Sequence, residues 1–263
     1  MATHTAPILE RILELRRAAI DELKQGEAQA AITAALGTAP PIRDFRAALS
    51  GSGVALIAEC KERSPSGGLL QTTYDPIALA RRYTANGASA ISVLTEPEFF
   101  GGSLLHLKEV RRSVDRPVLC KDFVIDPIQV MAARAAGADA VLLIVAILED
   151  EQLKDLQEAI TGVGMAAVVE VHDEPELERA LNAGAQVIGI NNRDLTRMTT
   201  DKATTALLRP LIPKGRTVIS ESGIHSREDI EELARLDIDA ALVGEALLRA
   251  TDLDAKVREL SGR

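Results

Sequence analysis

The sequence predicts an α/β fold, a (β/α)8 TIM barrel with an extra N-terminal helical segment, on three observations. Eight short apolar runs follow one another from Val54, each apolar at both parities, as strands covered on both faces require. Segments of helical period separate them, and strands alternating with single helices build right-handed βαβ units around a parallel sheet. Eight such units fill the 263-residue chain, whereas an open doubly wound sheet uses about five or six strands.

Residues 1–53 fall outside this repeat. Within them ILERILELRRAAIDELKQ predicts an amphipathic helix of about four turns, followed by a loop carrying Pro40 and Pro41 and a short RDFRAAL segment. Two roles are open to this extension: a plug for the open end of the barrel, or an added helix that helps to close a ligand site. It is expected to pack on residues 54–263 as part of one structural domain.

The strands are expected at Val54 to Cys60, Ala90 to Leu94, Val118 to Phe123, Ala140 to Ala146, Ala166 to Val171, Val187 to Asn192, Thr217 to Ser222 and Ala240 to Glu245. Helical period marks PIALARRYTANG, PIQVMAARAAG, DEQLKDLQEAI, EPELERALNAG and REDIEELARL. Asp75-Pro76, Asp126-Pro127 and Ser226 read as helix starts, since their side-chain oxygens can take the first free N–H groups. ANGASAI, AAGADAV and NAGAQVI each put a glycine after the last helical turn, where a left-handed cap is needed, and then re-enter a strand. After the first strand KERSPSGG stands where a dinucleotide fingerprint would need GxGxxG.

Composition narrows the function. Hydrophobic residues make up 46% and charged residues 26%, the balance of a folded globular protein. With 39 acidic against 30 basic residues the net charge of −9 excludes a broad footprint for nucleic acid or anionic lipid. Cys60 and Cys120 are too few for a disulfide framework, and neither HExxH nor paired CxxC occurs, so no metal and no cofactor are expected. The N-terminus lacks a signal-peptide core and no run approaches the roughly 18 apolar residues of a membrane span, so a cytoplasmic protein is expected. The expected partner is a small phosphorylated molecule, and the expected state is a monomer, at most a weak homodimer.

Barrel chemistry sits at the C-terminal ends of the strands, where loops vary while the barrel stays packed. Those ends carry Glu59 and Lys61, Lys121 and Phe123, Glu170, Asn191 and Arg193, and Glu221 and Ser222. Alternation puts Glu59 with Lys61, Lys121 with Phe123, and Asn191 with Arg193 on shared faces. The uppermost interior layer, drawn from alternate strands, would then consist of Glu59 or Lys61, Lys121, Glu170 and Glu221. A layer of buried ions costs several kcal/mol per ion unless partners offset it, so stability alone would not select it. Cys60 and Cys120 take the opposite parity, as apolar fillers against the helices. His172, in EVHDE, follows the fifth strand and could reach the mouth, but reads first as a turn residue.

A phosphate site is also legible. Gly223 in SESGI and Gly244 in LVGEAL each stand just before a helix start, with free N–H groups above the barrel, and Ser222 and Ser64 could add hydroxyls.

The segments IAECKERSPSGG, ISVLTEPEFFGGS, PVLCKDFVID, GADAVLLIVAIL, VVEVHDEPEL, IGINNRDL, ISESGI and ALVGEALLR, in this order, resemble those of the indole-3-glycerol-phosphate synthase family. The resemblance runs from about Ile8 to the C-terminus. It implies a cofactor-free carboxy-lyase of tryptophan biosynthesis. Such an enzyme closes the ring of 1-(2-carboxyphenylamino)-1-deoxyribulose 5-phosphate with loss of CO2 and water. It implies Lys121 as the acid at the ribulose carbonyl and Glu170 as the carboxylate that moves a proton during dehydration. Lys61 becomes the cation that meets the substrate carboxylate and also serves as an acid. Glu59 and Glu221 hold the lysines and substrate hydroxyls, while Asn191 and Ser222 bond the intermediate. Adjacent carboxylates would keep both lysines protonated near neutral pH. Phe100, Phe123 and Leu142 are candidates for the aromatic ring, and Ser64, Arg193, Gly223, Gly244 and Glu245 for the rest of the substrate. Glu62, Gly67 and Glu245 depart from the family pattern: a lysine is common at the first two, and some members carry a small hydroxyl residue at the third. Two other readings compete: a Schiff-base aldolase with Lys121 as nucleophile, and a non-catalytic barrel that binds sugar phosphates.

Overall fold

The structure is a computed structural model that describes residues 7–65, 68–70, 73–194 and 199–263; Gly67 and the six residues before the first helix lie outside these residues. Eight parallel strands close into a barrel, each bonded to its neighbours in the sequence. They are β1 (Ala55–Cys60), β2 (Ala90–Leu94), β3 (Val118–Lys121), β4 (Ala140–Ile144), β5 (Ala166–Val171), β6 (Val187–Asn191), β7 (Thr217–Glu221) and β8 (Ala240–Val243). The register Ala55 opposite Ala240 through Ala58 opposite Val243 joins β8 to β1 and leaves no edge strand in the barrel.

Alternation divides the core in two. Ile57, Leu119, Leu142, Val168, Ile219 and Leu242 fill the barrel interior, while Leu56, Val93, Val141, Val169 and Val218 pack outward against the helices. Cys60 and Cys120 lie in the outer cluster, as their parity requires, and burial pushes the Cys120 thiol up to about 12.

The helices are α1 (Pro7–Leu23), α2 (Gly26–Leu36), α3 (Phe45–Leu49), α4 (Pro76–Ala85), α5 (Pro97–Phe100), α6 (Leu104–Ser113), α7 (Pro127–Ala136), α8 (Asp150–Gly162), α9 (Glu174–Asn182), α10 (Ala203–Leu208), α11 (Arg227–Arg235), α12 (Glu245–Leu248) and α13 (Leu253–Ser261). The expected caps form. Asp75 accepts the N–H groups of Ile77 and Ala78, and Asp126 and Ser226 each complete a capping box, with Gln129 and Asp229. The repeat glycines Gly87, Gly137 and Gly184 all take positive φ, at 112°, 99° and 83°.

Several expected strands end early. The backbone stops pairing at Lys121, Ile144, Asn191, Glu221 and Val243, because each strand must turn into its loop at the barrel rim. Val145–Ile147 form a 3-10 turn, Ser222 and Gly223 adopt φ of 68° and 77°, and Glu245 opens α12.

The N-terminal extension differs from expectation in one element and contacts both ends of the barrel. The expected loop after α1 contains α2, whose sequence GEAQAAITAAL forms a helix on alanine propensity instead of an amphipathic stripe and lies along α7 with no residue buried. Phe45 and Leu49 of α3, each 1% exposed, enter the interior cluster from below. Arg46 donates to Thr217 Oγ1 (3.3 Å) and the Arg43 N–H to Asp139 Oδ1 (2.8 Å), both at strand beginnings, so α3 is the plug. α1 reaches the opposite rim, where Arg16 lies 3.2 Å from Asp122, just beyond β3.

Candidate active site

The alternating strands deliver the charged layer. Lys121 Nζ lies 2.8 Å from Glu221 Oε2 and 3.3 Å from Glu170 Oε2, and Lys61 Nζ lies 2.5 Å from Glu59 Oε1. Glu59, Glu170 and Glu221 are buried, at 3%, 2% and 1% exposure, so these carboxyl groups lie inside the barrel and not at solvated strand ends. Gly189 on β6 and Gly244 after β8 make room for them. A Cβ on Gly189 would come within 2.5 Å of Glu221 Oε1, and one on Gly244 would strike Glu59 Oε1.

Burial opposes the charge on Lys121, but Glu221, Glu170 and Glu59 outweigh it and hold the ammonium above the ordinary lysine range. The two carboxylates beside it diverge. Burial pushes both up. For Glu170 the nearby Lys121 and His172 and a hydrogen bond from Asn191 win, and its pKa falls below the ordinary value. For Glu221 burial, joined by repulsion from Glu170 and Glu59, wins over Lys121 and raises it to about 7. Their environments thus favour the ionised form of Glu170 and the protonated form of Glu221.

Asn191 is oriented by its neighbours. Its Oδ1 accepts the Ser222 hydroxyl (2.8 Å) and the Arg193 N–H (3.0 Å), which turns the amide nitrogen toward Glu170. Ser222 holds its left-handed φ to make this contact, a strained backbone placed at the site.

All fifteen side chains and glycines singled out from the sequence line one cavity of about 520 Å³. Glu59, Lys61, Lys121, Glu170 and Glu221 make its floor. On one side Phe100 and Phe123, with ring centroids 6.1 Å apart, stand with Leu142 as an apolar wall. Ser64, Arg193, Gly223, Gly244 and Glu245 also line the cavity, with Gly244 at the N-cap position of α12, which has no side-chain cap. Glu245 points its carboxylate at Arg249 (2.7 Å) and Arg193 (3.7 Å).

Sequence reasoning missed part of the lining. Leu94, Ile144 and Leu242 complete the apolar side but read as ordinary strand residues. Lys202, beside Gly223 and 2.5 Å from Asp229, lies in a loop that no periodicity marks. His172 lies in the bend after β5, as expected of a turn residue, and from there presents Nε2 3.4 Å from Glu170 Oε1, the reach toward the mouth that its sequence position also allows.

A family model described as indole-3-glycerol phosphate synthase matches residues 9–260. The indole-3-glycerol phosphate synthase of Roseiflexus sp. (strain RS-1) is 51% identical over 264 residues, covering 97% of this chain and 98% of its own. Indole-3-glycerol phosphate synthase 2 of Streptomyces coelicolor is 48% identical over 234 residues, covering 89% of this chain and 91% of its own. Among solved structures, 3-hexulose-6-phosphate synthase from Salmonella typhimurium superimposes with a TM-score of 0.66 at 16% identity, over 80% of this chain and 97% of that one, and shares the barrel. Matched along nearly its whole length by the family model and by relatives about half identical to it, the chain belongs to the indole-3-glycerol phosphate synthase family.

Proposed function

We propose that the protein converts 1-(2-carboxyphenylamino)-1-deoxyribulose 5-phosphate to indole-3-glycerol phosphate, CO2 and water. The observation that carries the reading is Lys121 held between Glu170 and Glu221 in a cavity also lined by Phe100, Phe123, Leu142, Gly223 and Gly244. Phe100, Phe123 and Leu142 fit the anthranilate ring, and Gly223, Gly244, Arg193 and Ser64 fit the phosphate. Stretched between them, the substrate lays its ribulose carbonyl across the lysines.

Lys121 donates a proton to the carbonyl oxygen as the ring carbon attacks, and the ring carboxylate leaves as CO2 to restore aromaticity. Lys61 meets that carboxylate and then protonates the departing hydroxyl, while Glu170 takes the proton that dehydration releases. Glu59 and Glu221 hold the two ammonium groups, and Asn191 and Ser222 bond the intermediate. The carboxylates around Lys121 secure its charged form, so the speed of its proton transfer comes from positioning.

No helix among the described residues is long and apolar enough to cross a membrane, and the reading places the activity in the cytoplasm, on a monomer. Incubating the protein with the substrate and following indole fluorescence tests it, on a low background because the chain has no Trp. Appearance of indole-3-glycerol phosphate supports the reading. Binding without product would favour a sugar-phosphate carrier, and borohydride trapping of a ketose phosphate on Lys121 would favour an aldolase.

A further inference from the structure

We propose that His172, backed by Glu176, is a positioning residue that holds the Glu170 carboxylate fixed and ionised for its proton-transfer step. The proposal rests on the base role of Glu170 given above.

The strand pattern puts His172 there. Glu170 points into the barrel, Val171 packs outward among the helices, and His172 turns inward again at the rim. Glu176, in the first turn of α9, fixes the imidazole twice. Its Oε2 lies 2.9 Å from His172 Nδ1 and accepts the His172 backbone N–H at 2.8 Å. Asp173 caps α9 by accepting the Glu176 N–H at 2.9 Å, which sets the position of Glu176 in turn. With Nδ1–H donated to Glu176, Nε2 is left facing Glu170 Oε1 at ion-pair distance, 3.4 Å, with no hydrogen-bond partner among the described residues.

The two oxygens of Glu170 therefore face different groups: Oε2 faces Lys121 and Oε1 faces His172. From Lys121 through Glu170 and His172 to Glu176 the signs alternate when the imidazole is charged. The titratable groups facing that ring are Glu170 from β5, Glu176 from α9 and Glu221 from β7, all acidic. Burial opposes its charge, but the bond to Glu176 and the three carboxylates raise its pKa above the ordinary histidine value. Around Glu170 itself stand Lys121, His172 and the Asn191 amide. Without the imidazolium, a carboxylate 2% exposed keeps one cation instead of two, and its protonated form gains.

The test compares wild type with His172→Asn, His172→Gln and Glu176→Gln. Carboxyl-carbon NMR of glutamate-labelled protein, with the Glu170 signal identified by its loss in Glu170→Gln, reads the titration without any turnover. The Glu170 midpoint should rise by about one unit in either histidine variant and by less in Glu176→Gln. In the same variants kcat should fall severalfold near pH 4.5, where the raised midpoint leaves Glu170 largely protonated, and recover as pH rises above about 6.5, with KM unchanged within about twofold. A Glu170 midpoint that stays put in a folded histidine variant overturns the proposal, as does a kcat loss equal at every pH. Failure of wild type to turn over would sink the functional reading but leave the NMR titration as the test of His172.

Discussion

Arg16 Nε lies 3.2 Å from Asp122 Oδ1, and this pair joins the N-terminal helix to the loop that follows Lys121. The same guanidinium stands 3.8 Å from Glu96 Oε1. Asp122 accepts the Thr95 hydroxyl (2.6 Å) and the Phe123 N–H (2.8 Å), while Glu96 accepts the N–H of Phe100 (3.1 Å) as it caps α5. One side chain of α1 thus steadies the backbone of both phenylalanines in the apolar wall. Removing it leaves Asp122 and Glu96, 7% and 1% exposed, without their cation. Arg16→Ala should raise KM about tenfold and lower stability by about 3 kcal/mol. Steady-state kinetics and urea unfolding check both, and an unchanged KM would separate α1 from the substrate site.

Phe45 works at the other end of the barrel and should affect stability alone. Phe45→Ala opens a cavity at the lower end of the interior cluster, where α3 meets β1 and β2, at a cost of roughly 3–5 kcal/mol, while KM stays at its wild-type value. A change in KM without loss of stability would contradict its role as a plug.

Gly189→Ala is the smallest change that reaches the charged layer. Its Cβ would come 2.5 Å from Glu221 Oε1, an atom that is buried without a hydrogen-bond partner. Glu221 must then swing away from Lys121, and kcat should fall about a hundredfold with the fold retained. Circular dichroism together with kcat decides; near-normal turnover would show that Glu221 tolerates displacement.

Glu221 also sets a pH dependence of stability. Its pKa rises from an ordinary 4.5 to about 7 in the folded chain, so the folded state binds the extra proton between those values. The stability this proton gives is complete below about pH 4.5 and is lost as pH rises through about 7. Glu221→Gln lacks that loss, so its melting temperature should gain on wild type between pH 5 and pH 8 while its activity falls. A difference between the two that does not change with pH would contradict the assignment.

What the sequence made legible follows from local periodicity. Short apolar runs located all eight strands, and alternation along them put Glu59, Lys121, Glu170 and Glu221 on the inward face, because parity along a strand is fixed over a few residues. Contacts between distant segments leave no such mark. Arg16 and Asp122 meet only because α1 folds over the rim, and Asp122 sits beside Lys121 at the parity that reads as structural. The helix α2 escaped notice because its alanines give no amphipathic stripe, and the two-residue strands Arg63–Ser64 and Gly68–Leu69 in the first loop are too short for a period to show. His172 was legible in parity but obscured by its place after the strand end.

The central claim, that Lys121 acts as the acid of ring closure, is tested most directly by measuring kcat and substrate affinity for Lys121→Ala. The account predicts a loss in kcat of about a thousandfold or more, with the dissociation constant changed by only a fewfold, since the ammonium acts chiefly in the transition state. A variant that keeps most of its kcat would contradict it.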